Sequence, residues 1–151
     1  DDTYRAEEML RLLEPLESNF CDVVIGSRLN GKIINGSMTK FNRFGNWFFS
    51  FLVRSFYQEN ITDVCTGYFA WKRPVTQQLL KYTESPGFAI EMEMLTKMAK
   101  LNYQIYAVPI TYVERAGETA LHPVKDGYRI LKAWARYLNW SPKGHKACKY
   151  N

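Results

Sequence analysis

The sequence predicts an α/β fold, and three observations carry that expectation. Short apolar runs alternate with longer stretches of helical period, the pattern of strands separated by helices. The run Asp22-Val23-Val24-Ile25-Gly26 ends on small residues and then presents Arg28. Ligands of open α/β sheets bind outside such strand ends, so this one marks a candidate site. At 151 residues, with 46% hydrophobic and 23% charged side chains, the chain is long enough for one domain with a real core.

Each element has a local justification. Tyr4 to Leu16 is expected as a helix, with Met9, Leu10, Leu12, Leu13 and Leu16 on one face and Pro15 at its end. Residues 22–26 are a strand, and Gly31 to Ser37 a loop. Thr39 to Tyr57 is expected as a long helix whose polar residues Arg43, Asn46, Ser50 and Arg54 form one stripe. Phe41, Phe44, Trp47, Phe48, Phe51, Leu52 and Phe56 cover most of the remainder. A helix this apolar is either buried or lies in a membrane interface.

Gly67 to Trp71 is expected as a short strand, and Pro74 to Tyr82 as a helix opened by proline at its first position. Phe88 to Leu101 follows as a helix, then Tyr103 to Val113 as an extended segment in which Pro109 implies an edge or a bend. In the last helix Lys125, Arg129, Lys132 and Arg136 form a basic stripe opposite Ile130, Trp134, Tyr137 and Leu138. That pattern suits a helix in a headgroup layer and equally a surface helix packed on its own domain. Residues 141–151 make a small basic tail expected to be disordered.

The bulk properties exclude several classes. No apolar run reaches the roughly 18–20 residues of a transmembrane helix, and no signal peptide opens the sequence. Cys21, Cys65 and Cys148 are odd in number and widely spaced, which argues against a disulfide framework or zinc site and for a reducing compartment. His122 and His145 are the only histidines, so a Ser-His triad has almost nothing to work with. The net charge of +5 is concentrated at the C-terminus, where residues 122–151 hold seven Lys/Arg against the single acid Asp126. Such local basicity fits contact with an anionic surface better than a nucleic-acid groove.

The candidate chemistry lies in short polar clusters. Arg28 and Arg43 present planar forks suited to phosphate oxygens. Asp1 and Asp2 precede the first helix, where acids serve either as caps or as ligands for a hard cation. Asp63-Val64-Cys65-Thr66-Gly67-Tyr68 joins an acid, a hydroxyl and a glycine in a turn. Glu93 is placed to pair with Lys97 four residues on, leaving Glu91 the freer of the two. Arg115 adds a third arginine in a loop before the last helix.

In order and spacing these clusters resemble family 2 glycosyltransferases of the dolichol-phosphate or polyprenyl-phosphate sugar synthase type. The matching blocks are Asp1-Asp2-Thr3-Tyr4, Val24-Ile25-Gly26-Ser27-Arg28-Leu29, Asn42-Arg43-Phe44-Gly45-Asn46 and Asp63-Val64-Cys65-Thr66-Gly67-Tyr68. Gly87-Phe88-Ala89-Ile90-Glu91-Met92-Glu93-Met94, Val108-Pro109-Ile110, Arg115 and Asp126-Gly127-Tyr128-Arg129 continue the match, which spans residues 1–135. The resemblance implies the C-terminal portion of a GT-A nucleotide-diphospho-sugar transferase fold, a mixed sheet flanked by helices plus an amphipathic C-terminal helix. It implies three segments: 1–123 in the transferase domain without its nucleotide-binding half, 124–140 as a membrane-interface helix, and 141–151 as tail.

It further implies an enzyme that moves a hexose, with inversion, from a nucleotide diphosphate sugar to a polyprenyl phosphate. The expected cofactor is Mg2+ or Mn2+, held in part by Asp1 as second aspartate of an Asp-x-Asp motif. Arg28, Arg43 and Arg115 would contact phosphates, and Asp63, Thr66, Gly67 and Tyr68 would form the acceptor loop. Glu91 and Glu93 would line the acceptor side. The expected partners are the nucleotide sugar, the lipid and a membrane surface, with no nucleic acid, and the expected location is peripheral at the cytoplasmic face. One block departs: the family's Gly-Glu-Ser-Lys-Leu is Gly117-Glu118-Thr119-Ala120-Leu121 here, which loses the lysine and any phosphate contact from it. Two other readings remain: a family 2 transferase acting on a lipid or glycan hydroxyl, and a non-enzymatic basic module binding RNA or anionic membrane.

Overall fold

The computed structural model describes residues 3–34, 36–114, 116 and 121–142. The order is α1 (Met9–Glu17), β1 (Val23–Ile33), α2 (Lys40–Tyr57), β2 (Phe69–Trp71), α3 (Arg73–Tyr82), α4 (Ile90–Lys100), β3 (Ile105–Tyr112) and α5 (Pro123–Tyr137). The three strands form one mixed sheet ordered β2-β1-β3, with β1 antiparallel to β2 and parallel to β3. The expected α/β class with a mixed sheet and flanking helices is what the chain adopts.

β1 explains the layering. Val23 to Arg28 are all buried, as befits a central strand covered on both faces. Alternate side chains then serve two cores. Val23 and Ile25 join Val53, Val75, Leu95, Met98 and Ile130 on the α2–α5 side. Val24 joins Leu12, Cys21, Val108 and Ile110 on the α1 side.

Several boundaries differ from those the sequence suggested. The strand expected over 22–26 continues to Ile33, so Gly26-Ser27 is not its end and Arg28 lies inside it. The sequence signal marked instead the place where the ladder breaks. Ser27 faces Pro109, which has no N–H to give, and pairing with β3 resumes in a shifted register only at Lys32. The first helix starts at Met9, after a short 3-10 turn at Ala6–Glu8, and Pro15 lies inside it. It ends where Asn19 adopts the left-handed conformation (φ 57°). Tyr4 is extended and bridges to Tyr112.

β2 starts at Phe69 rather than Gly67, and a 3-10 turn at Gly87–Ala89 precedes α4. Pro109 sits in β3, an edge of this sheet, as proline requires. α5 ends at Tyr137 and buries Ile130, Ala133 and Tyr137 against the core, so its apolar face is used within the domain. Lys97 secures this packing. It pairs with Glu93, bonds the Tyr82 carbonyl and lies 4.4 Å from the Tyr137 ring centroid. The basic side chains Lys125, Arg129, Lys132 and Arg136 remain exposed.

α2 turns part of its polar stripe inward and leaves most of its aromatic residues uncovered. Thr39 caps it by accepting from the Asn42 amide (3.1 Å), as its position before the helix implies. Yet Asn46 and Ser50 of the polar stripe are buried, while Phe41, Phe44, Trp47, Phe48, Phe51 and Phe56 are exposed. The reason is hydrogen bonding: Ser50 Oγ accepts from the Val64 amide (3.0 Å) and Asn46 Oδ1 from the Cys65 amide (3.1 Å). The inward polar stripe satisfies the backbone of the loop that α2 packs against. Among the described residues no helix is long and apolar enough to cross a membrane.

Candidate active site

The loop held by α2 carries Asp63, whose side chain is wholly buried. Arg28 meets it with a two-pronged bond, Nε to Oδ2 and Nη2 to Oδ1, both 2.7 Å. The Arg28 amide, released from the sheet ladder, donates to Oδ2 (2.8 Å), and Asn46 Nδ2 donates to Oδ1 (2.5 Å). Four donors therefore converge on one carboxylate, in the strongest geometry available to an arginine–acid pair. Burial works against the Arg28 charge, but the bonds and charge of Asp63 outweigh it and hold the guanidinium firmly protonated.

The Arg28 guanidinium also lies 5.2 Å from the Tyr112 ring centroid. Tyr112 contacts Tyr4 at 5.7 Å between centroids, and Tyr4 stacks on Tyr68 at 5.2 Å. The Tyr4 hydroxyl accepts from the Gly67 amide (3.1 Å), and the Tyr68 hydroxyl donates to the Arg5 carbonyl (3.1 Å). Thr66 Oγ1 closes the turn by accepting from the Tyr68 amide (3.2 Å). Three tyrosines thus clamp the loop that follows Asp63 to the segment before α1.

Above this cluster opens a cavity of about 520 Å3, a size ordinary for a small-molecule site. Arg28, Asn46, Cys65, Gly67 and Glu91 contribute polar groups, and Phe41, Phe49, Phe88 and Ile130 an apolar wall. With Nε and Nη2 engaged by Asp63, Nη1 is the Arg28 nitrogen that no described residue bonds, and it can serve a ligand. Burial pushes the Cys65 thiol up to about 12, with the Asp63 charge adding to the effect, so it stays protonated at neutral pH.

Glu91 Oε2 is buried without a hydrogen-bond partner among the described residues. Burial raises its pKa above 4.5, against an opposing pull from its own backbone amide and from Arg28. The unfolded chain, in which this carboxyl is solvated, releases the proton at lower pH than the fold does. Stability is therefore lost as pH rises from about 4.5 through the folded pKa. Glu91→Gln is expected to melt with the parent near pH ~4 and above it at pH ~7. Thermal melts at the two pH values check this, and equal shifts at both would contradict it.

The sequence candidates separate into groups. Arg28, Asp63, Thr66, Gly67 and Tyr68 come together, with Glu91 on the same cavity. Glu93 takes no part in that cavity's wall. It accepts from the Glu84 and Ser85 amides (3.1 and 2.6 Å) and pairs with Lys97 as the sequence suggested. Arg43 lines a different recess, of about 440 Å3, with Lys40, Arg54, Phe44 and Trp47. Asp1, Arg115 and the 117–120 segment lie outside the described residues. Among the described residues no three His, Cys, Asp or Glu side chains gather as a metal site, so these residues do not by themselves form a cation cage. Tyr4, Cys65 and Asn46 stood in the matching blocks without a role of their own, and Tyr112 was not singled out from the sequence.

No protein-family model matches the chain. Curated relatives do. Glycosyltransferase AglJ of Haloferax volcanii is 35% identical over 130 residues, covering 84% of this chain and 41% of the relative. A dolichyl-phosphate hexose transferase of the same organism is 35% identical over 133 residues, covering 88% and 56%. An undecaprenyl-phosphate mannosyltransferase of Micrococcus luteus is 33% identical over 146 residues, covering 93% and 58%. The chain spans about half the length of the curated relatives it matches. Similarity across nearly all of its own length, at this identity and to relatives of one activity class, makes the chain a member of their glycosyltransferase family.

Proposed function

We propose that this chain belongs to an enzyme that transfers a hexose from a nucleotide diphosphate sugar to a polyprenyl or dolichyl phosphate. The observation that supports it most is the pairing of two relatives named for prenyl-phosphate acceptors with a buried, pre-oriented arginine on the floor of a partly apolar cavity. In the proposed reaction an acceptor phosphate oxygen attacks the anomeric carbon, the carbon–oxygen bond to the diphosphate breaks, and the nucleoside diphosphate leaves with inversion. A phosphate monoester is largely dianionic near neutrality, its second pKa being about 6, so its attack needs no strong base.

The roles of the residues follow. Arg28 offers Nη1 to the acceptor phosphate, and Asp63 holds that guanidinium in place; with four donors on it, Asp63 is a positioning residue and not a free base. Thr66, Gly67 and Tyr68 fix the loop, and Glu91 faces the acceptor side. Arg115 and a divalent cation, Mg2+ or Mn2+, with Asp1 among its ligands, belong to the donor side of the same proposal. The cation supplies charge neutralisation for the leaving diphosphate. Because the acceptor is a lipid, the reaction belongs at a membrane surface, and its cytoplasmic face is the expected side.

The test uses the intact gene product, labelled nucleotide diphosphate hexoses, and polyprenyl phosphate beside free polyprenol. Extractable hexosyl lipid from the phosphate alone is the expected result. Transfer to the hydroxyl of free polyprenol would favour the family 2 alternative, and RNA binding without transfer would favour a basic module. Arg28→Lys, which cannot reproduce the two-pronged bond, is expected to lower turnover by about a hundredfold. A folded Arg28→Lys protein with parental turnover and acceptor KM would remove Arg28 from the site.

A further inference from the structure

The transfer reaction gives Glu91 a place but no task. It stands in the first turn of α4 and lines the Arg28 cavity, with Oε2 buried and unbonded among the described residues. Glu93, two residues on, shows the alternative. Burial alone would raise its carboxyl, but its bonds to Lys97 and to the Ser85 and Glu84 amides outweigh that and lower it. A buried carboxyl oxygen without such bonds is costly, and costlier ionised than protonated.

The charge balance of the cavity decides which form meets a phosphate. Arg28 is the sole cation among the described residues of its wall, and Asp63 already neutralises it at 2.7 Å. Cys65 is a protonated thiol, and Tyr4 and Tyr112 are engaged in the tyrosine cluster and with Arg28. Glu114 on the same wall is exposed to solvent. α5 turns Pro123, Gly127 and Ile130 to the cavity, while its Asp126 is held by Arg129 and the His122 amide. An ionised Glu91 would therefore leave the buried wall negative, opposite an acceptor phosphate that is itself largely dianionic near neutrality. Two like charges in one poorly solvated site do not both stay ionised. Arg28 Nη1 can support the phosphate charge, whereas no described residue bonds Glu91 Oε2, so Glu91 is the group to take the proton.

We propose that Glu91 enters the acceptor complex as a neutral acid, hydrogen-bonded to a phosphate oxygen that Arg28 also holds, so that acceptor binding draws a proton into the cavity from solvent. The proton stays on Glu91 during transfer and returns to solvent when the product, a phosphodiester with a single negative charge, leaves. Glu91 thereby reads the phosphate of the acceptor, since an uncharged alcohol recruits no proton. The inference rests on the phosphate-acceptor reading and adds to it a linkage between binding and pH.

Calorimetric titration of the intact protein with farnesyl phosphate, in buffers of differing ionisation enthalpy, counts the protons exchanged. Between about pH 7 and 9, uptake approaching about one proton per phosphate bound is expected, with affinity falling about tenfold per pH unit where uptake is complete. Glu91→Gln donates a hydrogen bond at every pH, so it should take up none and hold its affinity over the same range. Farnesol should draw no proton into the parent. Equal uptake by the parent and Glu91→Gln overturns the proposal, because the phosphate itself then carries the proton. No uptake by the parent overturns it too, as does uptake with farnesol. If polyprenyl phosphate is still glycosylated in those cases, the transfer reading stands and only the role of Glu91 falls. A protein that neither binds farnesyl phosphate nor glycosylates polyprenyl phosphate overturns both.

Discussion

Asp63→Ala is expected to destabilise the protein by about 3–5 kcal/mol, the cost of leaving a buried charge without its partner. Arg28 loses both prongs of its ion pair, its own amide loses an acceptor, and Asn46 Nδ2 loses another. Water cannot replace them, since Asp63 is fully buried and Arg28 is only 7% exposed. Asp63→Asn keeps the volume but turns an acceptor-only group into one with two N–H donors facing other donors, so it should fare little better. The discriminating measurement is a double-mutant cycle in chemical denaturation. Arg28→Met alone strands Asp63, but Arg28→Met with Asp63→Ala removes both charges and should recover a substantial part of the loss. Additive losses would mean that the two residues act separately.

Gly31→Ala should be nearly as damaging, although Gly31 looks exposed and its substitution conservative. A Cβ there would lie 1.9 Å from the Ile110 carbonyl oxygen and 2.6 Å from its amide nitrogen. Those are backbone atoms of the adjacent strand, so no side chain can swing away and the strands must separate. The expected loss is about 3 kcal/mol, at the upper end for overpacking. For a chain of this size that lowers the melting temperature by about 9 °C. Gly45→Ala is the internal control, because nothing lies within 4 Å of the Cβ it would gain. A melt showing both variants alike would mean that β1 and β3 lie farther apart at Gly31 than this close approach to Ile110 implies.

Legibility varied with the kind of signal. Elements with their own caps and periodicity were readable: Thr39 opening α2, proline near the start of α3, and the Glu93–Lys97 pair on α4. The path of β1 past Gly26 was not, because a strand's continuation depends on its neighbour, and the neighbour's Pro109 lies 82 residues away. Which face of α2 turns inward was not legible either, for a similar reason. Asn46 and Ser50 are hydrophilic by composition, yet loop amides at Val64 and Cys65 require acceptors inside the protein. Of the candidate site, the ordered blocks named Arg28 and the Asp63 loop separately, and the structure brings them into contact. They could not foresee that Asp63 is already saturated, nor that Arg43 opens into another recess. Tyr4 stood in a matching block but nothing pointed to its partner Tyr112, since tyrosine is abundant in this chain and a bridge between residues so far apart leaves no local pattern.

The double burial of β1 has a consequence for how the molecule comes apart. Val24 belongs to one core and Val23 and Ile25 to the other, so a single backbone segment is the shared wall of both. Undocking α1 uncovers one side of that wall, and loosening α4 or α5 uncovers the other. Neither half can therefore open far without weakening the strand on which the other depends. Amides from Val23 to Ser27 should exchange with solvent only through events approaching global unfolding. Arg28 sits at the end of that protected stretch, and the orientation of its guanidinium is thereby tied to the cooperativity of the whole domain.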